Sequence, residues 1–417
     1  METKPSGYKK VKSCRVSRDE AMIAVLNLGD QKLTGLFPKV GRDHEVMSGP
    51  IELVWSSKSG LLQLAHSYDP HQMYGENYGY RSGLNRSMVT HLTDKVASLE
   101  RLVGLGYGDT VLDIGSNDGT TLKAYSIRGI DKIGIDPAAK KFARFYREDM
   151  KPVADFFSEE NYRKVSKKNA KVVTSIAMFY DLEDPIQCAR EIARILTDDG
   201  VWHLEQSYMP TMLRLNSYDT VCHEHIAYYS LRVMEKIMDA AGLKIIDVSM
   251  NAINGGSFAL TCVKRRCIKY PVNRAVIQWL LMQEDRIGLH TLKPFREFER
   301  RVFKHRERLL DLVKRLVADG KKVLGYGAST KGNVMLQFCG FTPAHIAAIA
   351  EVNEDKFGCM TPGSAIPIVS ESEALAMEPD YFLVLPWHFR NEVLRREKRF
   401  HSRRGRFIFP FPEIEIV

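Results

Sequence analysis

One nine-residue segment constrains this chain more than any other: Val111-Leu112-Asp113-Ile114-Gly115-Ser116-Asn117-Asp118-Gly119. A β-branched run ends near an acidic residue, a turn with two glycines follows, and a helix is expected next. Gly115 and Gly119 permit the positive φ angles and close backbone approach of a tight strand-to-helix turn. In a doubly wound α/β domain such a turn sits at the carboxyl edge of the sheet, where ligands bind. The same unit recurs around it. Thr110–Ile114, Lys132–Asp136, Pro152–Phe156, Val172–Ala177 and Val201–Glu205 read as strands, with helices predicted over Ala138–Tyr146 and Ile186–Leu196. This alternation predicts a parallel sheet with right-handed crossovers.

A second alternation begins near residue 321. Lys322–Tyr326, Ile346–Glu351, Ile366–Val369, Tyr381–Leu385 and Phe407–Phe409 read as strands, with a helix near Gly332–Phe338. The charged, helically periodic stretch Phe295–Leu316 bridges the two blocks. The first hundred residues, richer in Gly, Ser and Tyr, read as a small separate lobe. The expectation is an α/β chain of three lobes: a small N-terminal lobe over 1–85, a doubly wound domain over 86–265, and a helical bridge with a Rossmann-like α/β domain over 266–417. A length of 417 residues accommodates this.

Composition narrows the class further. A hydrophobic content of 44% excludes a wholly disordered chain. No apolar run approaches the roughly 18 residues of a membrane helix. The opening METKPSGYKK lacks the apolar core of a signal peptide, and the seven scattered cysteines do not form a disulfide framework. A cytoplasmic protein with no membrane partner is expected. The net charge of +9 is densest at Arg395–Arg406. Such a run reads first as a solvated helix face, because a nucleic-acid surface interleaves basic and aromatic residues over a wider patch; no nucleic-acid partner is expected.

Three segments carry chemistry. Asp136 ends the second strand about 20 residues after the glycine turn, where a carboxylate accepts from a ribose diol. The phosphate-cradling G-x-G-x-x-G is absent. The Asp113-x-Gly115 form suits a nucleoside without phosphate, the S-adenosylmethionine pattern, with Asp113, Gly115, Ser116, Asp118, Gly119 and Asp136 as contacts. Asp155-Phe156 after the third strand offers an acceptor and an apolar edge to adenine, or simply a cap and a core ring, and Met178-Phe179-Tyr180 would line the same crevice. The second segment is His223-Glu224-His225. It lacks the H-E-x-x-H spacing of a metalloprotease, but a His–Glu pair makes an oriented base near neutral pH; buried structural histidines are the competing reading. The third is Gly325–Asn333, where small residues lead into a helix start. There Tyr326, Lys331 and Asn333 would hold an anion, a diphosphate being the natural guest.

These blocks together resemble the sugar C-methyltransferases that act, usually at C3, on nucleotide-linked 4-keto-6-deoxyhexoses. The resemblance is carried by Leu28-Gly29, the run Tyr74 to Gly83, Asp113–Gly119, Tyr218–His225, Asn254-Gly255-Gly256-Ser257, Gly325–Asn333 and Thr361-Pro362-Gly363. It implies a middle lobe that binds S-adenosylmethionine, a last lobe that helps hold the nucleotide sugar, and catalysis by Glu224 and His225 with a tyrosine from Tyr78–Tyr80. The chain departs from the family at the N-terminal zinc site. Of two C-x-x-C pairs only Cys14 remains, with Ser17, Ser56 and Ser59 at the other positions, so no metal is expected. Cys222 also stands where some members have tyrosine. In the implied chemistry, His225 removes the proton α to the sugar ketone, Glu224 orients or supports it, and Tyr78, Tyr80 or His223 donates to the oxyanion. The rival readings are a nucleic-acid methyltransferase and a non-methylating sugar-binding or epimerising protein; the intact glycine loop argues against the latter.

Overall fold

The computed structural model describes residues 7–74, 80–402 and 404–417. In the N-terminal lobe β1 (Met22–Lys32), β2 (Ser48–Ser56) and β3 (Leu62–Leu64) form an antiparallel sheet. Its fourth strand, Ala227–Tyr228, comes from far along the chain and pairs with β3. Leu53, Trp55, Leu62 and Leu64 share one buried cluster with Phe295, Phe298 and the core of the C-terminal domain, and the Trp55 ring lies 5.4 Å from that of Phe295. The lobe expected to be separate is therefore not self-contained. Burying side chains of this size stabilises by about 1.5–3 kcal/mol each, and here that stabilisation depends on residues of all three blocks.

The middle domain opens with α1 (Arg86–Val103), capped by the Asn85 side chain and closed by Gly104 in the left-handed region. It continues through β4 (Thr110–Ile114), α2 (Thr120–Ala124), β5 (Asp131–Ile135), β6 (Met150–Val153), β7 (Ala170–Ile176), α3 (Pro185–Ile195), β8 (Leu196–Ser207), α4 (Leu231–Ala240), β9 (Leu243–Asn251) and β10 (Ser257–Lys264). Strand order is β9-β10-β8-β7-β4-β5-β6. The five strands from β4 to β8 run parallel, and β10 is antiparallel to both β8 and β9. The chain winds outward from β4 to β6 and then returns on the other side to β7. The β4–α2 turn therefore lies at the switch point, where the crevice of such a sheet opens.

Two expectations here are corrected. The helix over Ala138–Tyr146 is replaced by two short 3₁₀ turns, Pro137–Lys140 and Ala143–Phe145. The third strand ends at Val153 rather than Phe156, because its register on β5 runs only from Met150 to Val153.

In the C-terminal domain α5 (Lys293–Ala318) is the expected bridge. Phe295, Phe298, Val302, Leu309 and Val313 are buried on one face at helical spacing. There follow β11 (Val323–Tyr326), α6 (Thr330–Cys339), β12 (Ile349–Glu351), β13 (Ile368–Ser370), β14 (Tyr381–Val384), β15 (Arg406–Phe409) and β16 (Glu415–Ile416), in sheet order β13-β12-β11-β14-β15-β16. The basic run starts in the short helix Arg390–Arg396, includes the helix Lys398–Ser402 and ends at Arg406, the first residue of β15; Arg396 pairs with Glu371 and Glu397. Among the described residues no helix is long and apolar enough to cross a membrane.

Candidate active site

The β4–α2 turn is a cradle built by backbone. Gly115, Asn117 and Gly119 have φ of 73°, 48° and 73°. A Cβ on Gly115 would meet Met178 at 3.1 Å, and one on Gly119 would meet Tyr146 at 3.3 Å. Asp136 fixes the turn from the next strand end: one carboxylate oxygen accepts from Asn117 N at 2.8 Å and the other from Ala138 N at 2.6 Å. Asp113 lies beneath the turn, 2% exposed, and accepts from Thr174 Oγ1 at 2.6 Å. Burial pushes its carboxyl up to about 7 despite that bond. Asp118 accepts from Thr120 Oγ1 at 2.5 Å and from Gly83 N at 3.1 Å. Ser116 Oγ is 2.8 Å from the Tyr146 hydroxyl, which also donates to the Asn117 carbonyl. Sequence reasoning missed Tyr146 as part of this loop, because it had been placed at the end of a regular helix. These groups fit S-adenosylmethionine: a glycine cradle at the switch point, with an acidic group at the next strand end.

Asp155 is exposed, and its carboxylate accepts from Phe156 N at 2.7 Å. The Phe156 ring packs edge-on to His71 of the N-terminal lobe, 5.2 Å away. Tyr80 is 47% exposed, and its carbonyl accepts from the Asn117 side chain. Tyr78 lies outside the described residues.

The 218–225 segment is packed between domains. His225 Nδ1 is 3.0 Å from the Thr220 carbonyl. A carbonyl only accepts, so Nδ1 carries the proton and Nε2 keeps its lone pair. The ring lies 4.1 Å from Tyr180 and borders a cavity of about 10 Å³, lined also by Met209, Met212 and Tyr228. Burial first, and then the Lys331 charge, push the imidazole down to about 3. The group that orients the ring is thus the Thr220 carbonyl, a backbone partner no side-chain pattern announces. Glu224 faces Thr34, whose hydroxyl lies 3.3 Å from its carboxylate, and burial raises its carboxyl. Gly35 makes room for it, since a Cβ there would stand 2.2 Å from Glu224 Oε1. His223 turns the other way. It is fully buried, donates from Nε2 to the Gly49 carbonyl at 3.3 Å and meets the Tyr68 ring edge-on at 4.7 Å. Burial pushes it down to about 4.

The Gly325–Asn333 loop is drawn into the same region. Lys331 Nζ donates to the Asn254 carbonyl at 2.7 Å, and Asn333 Nδ2 donates to the Thr34 carbonyl at 2.8 Å. Tyr326 turns to Glu397, donating at 2.9 Å. The turn between β7 and α3 joins the two halves of the site, for Met178 borders Gly115 and the Tyr180 ring lies tilted against His225.

In the N-terminal lobe the four positions of the expected metal knuckle stand together, linked by hydrogen bonds. Cys14 Sγ is 3.1 Å from Ser59 Oγ, and Ser17 Oγ is 3.3 Å from Ser56 Oγ. One thiol and three hydroxyls are a poor donor set for zinc, and among the described residues no three His, Cys, Asp or Glu side chains are grouped to hold a metal. These residues do not fit the ion. Elemental analysis should find less than one tightly held zinc per chain. The triple variant Ser17→Cys/Ser56→Cys/Ser59→Cys should take up one; stoichiometric zinc in the unaltered protein would refute this reading.

Family models match in order along the chain: a zinc binding domain over residues 14–74, a methyltransferase domain over 86–248 and a C-methyltransferase C-terminal domain over 252–412. A relative from Streptomyces niveus, C-methyltransferase NovU, is 29% identical over 98% of this chain and 97% of its own length. Among solved structures, an S-adenosylmethionine-dependent methyltransferase from Clostridium acetobutylicum is 11% identical over 42% of this chain and 92% of that one, with a TM-score of 0.32. The plantazolicin methyltransferase BpumL in complex with SAH is 13% identical over 42% and 83%, with a TM-score of 0.33. Three domain models match in series, and a C-methyltransferase aligns with the chain across nearly its whole length: the chain is a methyltransferase, similar from end to end to a C-methyltransferase.

Proposed function

We propose that this enzyme methylates the carbon α to the ketone, C3, of a nucleotide-linked 4-keto-6-deoxy sugar. One observation carries the reading: His225 is held as a neutral imidazole with Nδ1–H on the Thr220 carbonyl, so Nε2 is the basic atom, beside the segment that also borders the glycine cradle. A proton α to a ketone is acidic enough for such a base when the resulting enolate is held. His225 Nε2 takes the C3 proton, and the electron pair of the broken C–H bond spreads to the ketone oxygen. When bound, S-adenosylmethionine supplies the electrophilic methyl that the carbanionic carbon requires. Gly115, Gly119 and Asp136 fix the donor's position and the Thr220 carbonyl fixes the base, so rate comes chiefly from orientation. Glu224, buried next in sequence to His225, faces Thr34 and holds the segment in place rather than touching the imidazole.

Methyl-labelled S-adenosylmethionine incubated with a panel of nucleotide-linked 4-keto-6-deoxy sugars should transfer label to carbon in at least one. Label appearing in RNA, or in none of the sugars, would overturn the substrate class.

A further inference from the structure

A lysine at the start of a helix is electrostatically misplaced, because the helix N-terminus already carries partial positive charge. Lys331 stands in the first turn of the ten-residue helix α6. Burial lowers its ammonium, and Asp219 opposes that lowering. Among the described residues its hydrogen-bond partner is one carbonyl, that of Asn254; an ammonium has three N–H donors. The surroundings contain further unsatisfied groups. Asp219 is 1% exposed; its Oδ2 accepts from Trp387 Nε1 at 2.8 Å, while Oδ1 is buried with no partner. His388 Nδ1, also under the field of Lys331, is likewise buried without one.

The helix start is anchored to the catalytic segment by separate contacts. Asn333 Nδ2 donates to the carbonyl of Thr34, whose hydroxyl faces Glu224. The position a Gly35 Cβ would take lies between Glu224 Oε1 and Thr330 Oγ1. Part of the loop is already engaged within the protein. Ala328 N donates to Glu351 at 2.8 Å, and Gly332 N donates to Ser329 Oγ at 3.0 Å. These two amides of the loop therefore already have acceptors, one of them a carboxylate.

We propose that Lys331 is a catalytic residue, whose ammonium donates to the ketone oxygen of the substrate as negative charge develops there during proton removal by His225. The role rests on the reaction proposed above and supplies the oxyanion donor that reaction needs. The proton leaves C3 for His225 Nε2, the electron pair moves onto the oxygen, and Lys331 stabilises that charge without giving up its own proton.

The test uses Lys331→Met and Lys331→Gln, the latter keeping a neutral donor for the Asn254 carbonyl. Each is compared with wild type in deuterated buffer containing S-adenosylhomocysteine and a saturating nucleotide 4-ketosugar. Wild type should exchange the α-hydrogen. Both variants should lose exchange and turnover by about 10²–10³-fold, with KM for the sugar nucleotide little changed and unaltered S-adenosylhomocysteine affinity showing an intact fold. A raised KM with kcat preserved would make Lys331 a diphosphate contact and overturn the proposal, as would unchanged exchange in both variants. Absence of exchange by wild type on every ketosugar would overturn the proposed reaction itself, a distinct result that takes the role of Lys331 with it.

Discussion

Replacing His225 by alanine should lower kcat by about 10²–10⁴-fold, the usual contribution of a positioned general base, while leaving affinity for S-adenosylhomocysteine intact. The donor site is built from the β4–α2 turn and Asp136, none of which touches the imidazole through a hydrogen bond. The pH profile gives a second reading. Burial and the Lys331 charge push His225 down to about 3. A lowered value means that the competent, unprotonated ring persists as pH falls, so the acid limb of kcat/KM should lie well below 6.5. On the alkaline side, activity should fall as Lys331, itself lowered by burial, loses its proton. An acid limb near 6.5 that vanishes in His225→Ala would show the ring to be far more exposed in solution than this packing allows. Near wild-type turnover in His225→Ala would transfer the base to another group, with Tyr80 next to be tested.

The elements most legible in the sequence are those whose signals are local. Thr110–Ile114 is a strand to the residue because all five positions are buried and a glycine turn ends it. The bridging helix is legible because its apolar stripe repeats at helical spacing over many turns. The 138–146 segment fails for a tertiary reason: Asp136 caps Ala138, and the Tyr146 hydroxyl reaches back to Ser116 and Asn117, which breaks a regular helix into two turns. The antiparallel pair β9 and β10 is hidden because β10 follows β9 with only a short turn and no α-helix between them, which breaks the strand–helix alternation, although both segments are rich in apolar residues.

The candidate site divides along the same line. The glycine turn and Asp136 follow from backbone rules and spacing. The two histidines of 223–225 look equivalent in sequence, yet one packs into the N-terminal sheet and the other borders the cavity. Only the crossing of the chain between domains separates them. Lys331 reads as a phosphate ligand when the loop is seen alone. The carbonyl it donates to, Asn254, and the Asp219 charge that acts on it belong to other parts of the chain, so no local pattern could reveal its direction.

Asp136→Ala should raise the Kd for S-adenosylhomocysteine by about 10–100-fold. The magnitude follows from hydrogen bonds to a charged group, worth about 1.5–3 kcal/mol, with 1.4 kcal/mol for each tenfold in affinity. Two causes would act together, and they are separable. The carboxylate staples the turn through Asn117 N and Ala138 N, so its removal loosens the cradle; it also stands where a ribose diol would donate. A ligand lacking the 2′-hydroxyl distinguishes them. If Asp136 accepts from the ribose, wild type should prefer S-adenosylhomocysteine over its 2′-deoxy form, and Asp136→Ala should bind the two alike. If the carboxylate only supports the loop, the variant should weaken both ligands by the same factor and keep the wild-type preference. Equal affinity of wild type and variant for S-adenosylhomocysteine would remove Asp136 from the donor site altogether. Burial already pushes this carboxyl up, so donor binding should also weaken as pH falls through its raised value, and that sensitivity should be lost in the alanine variant.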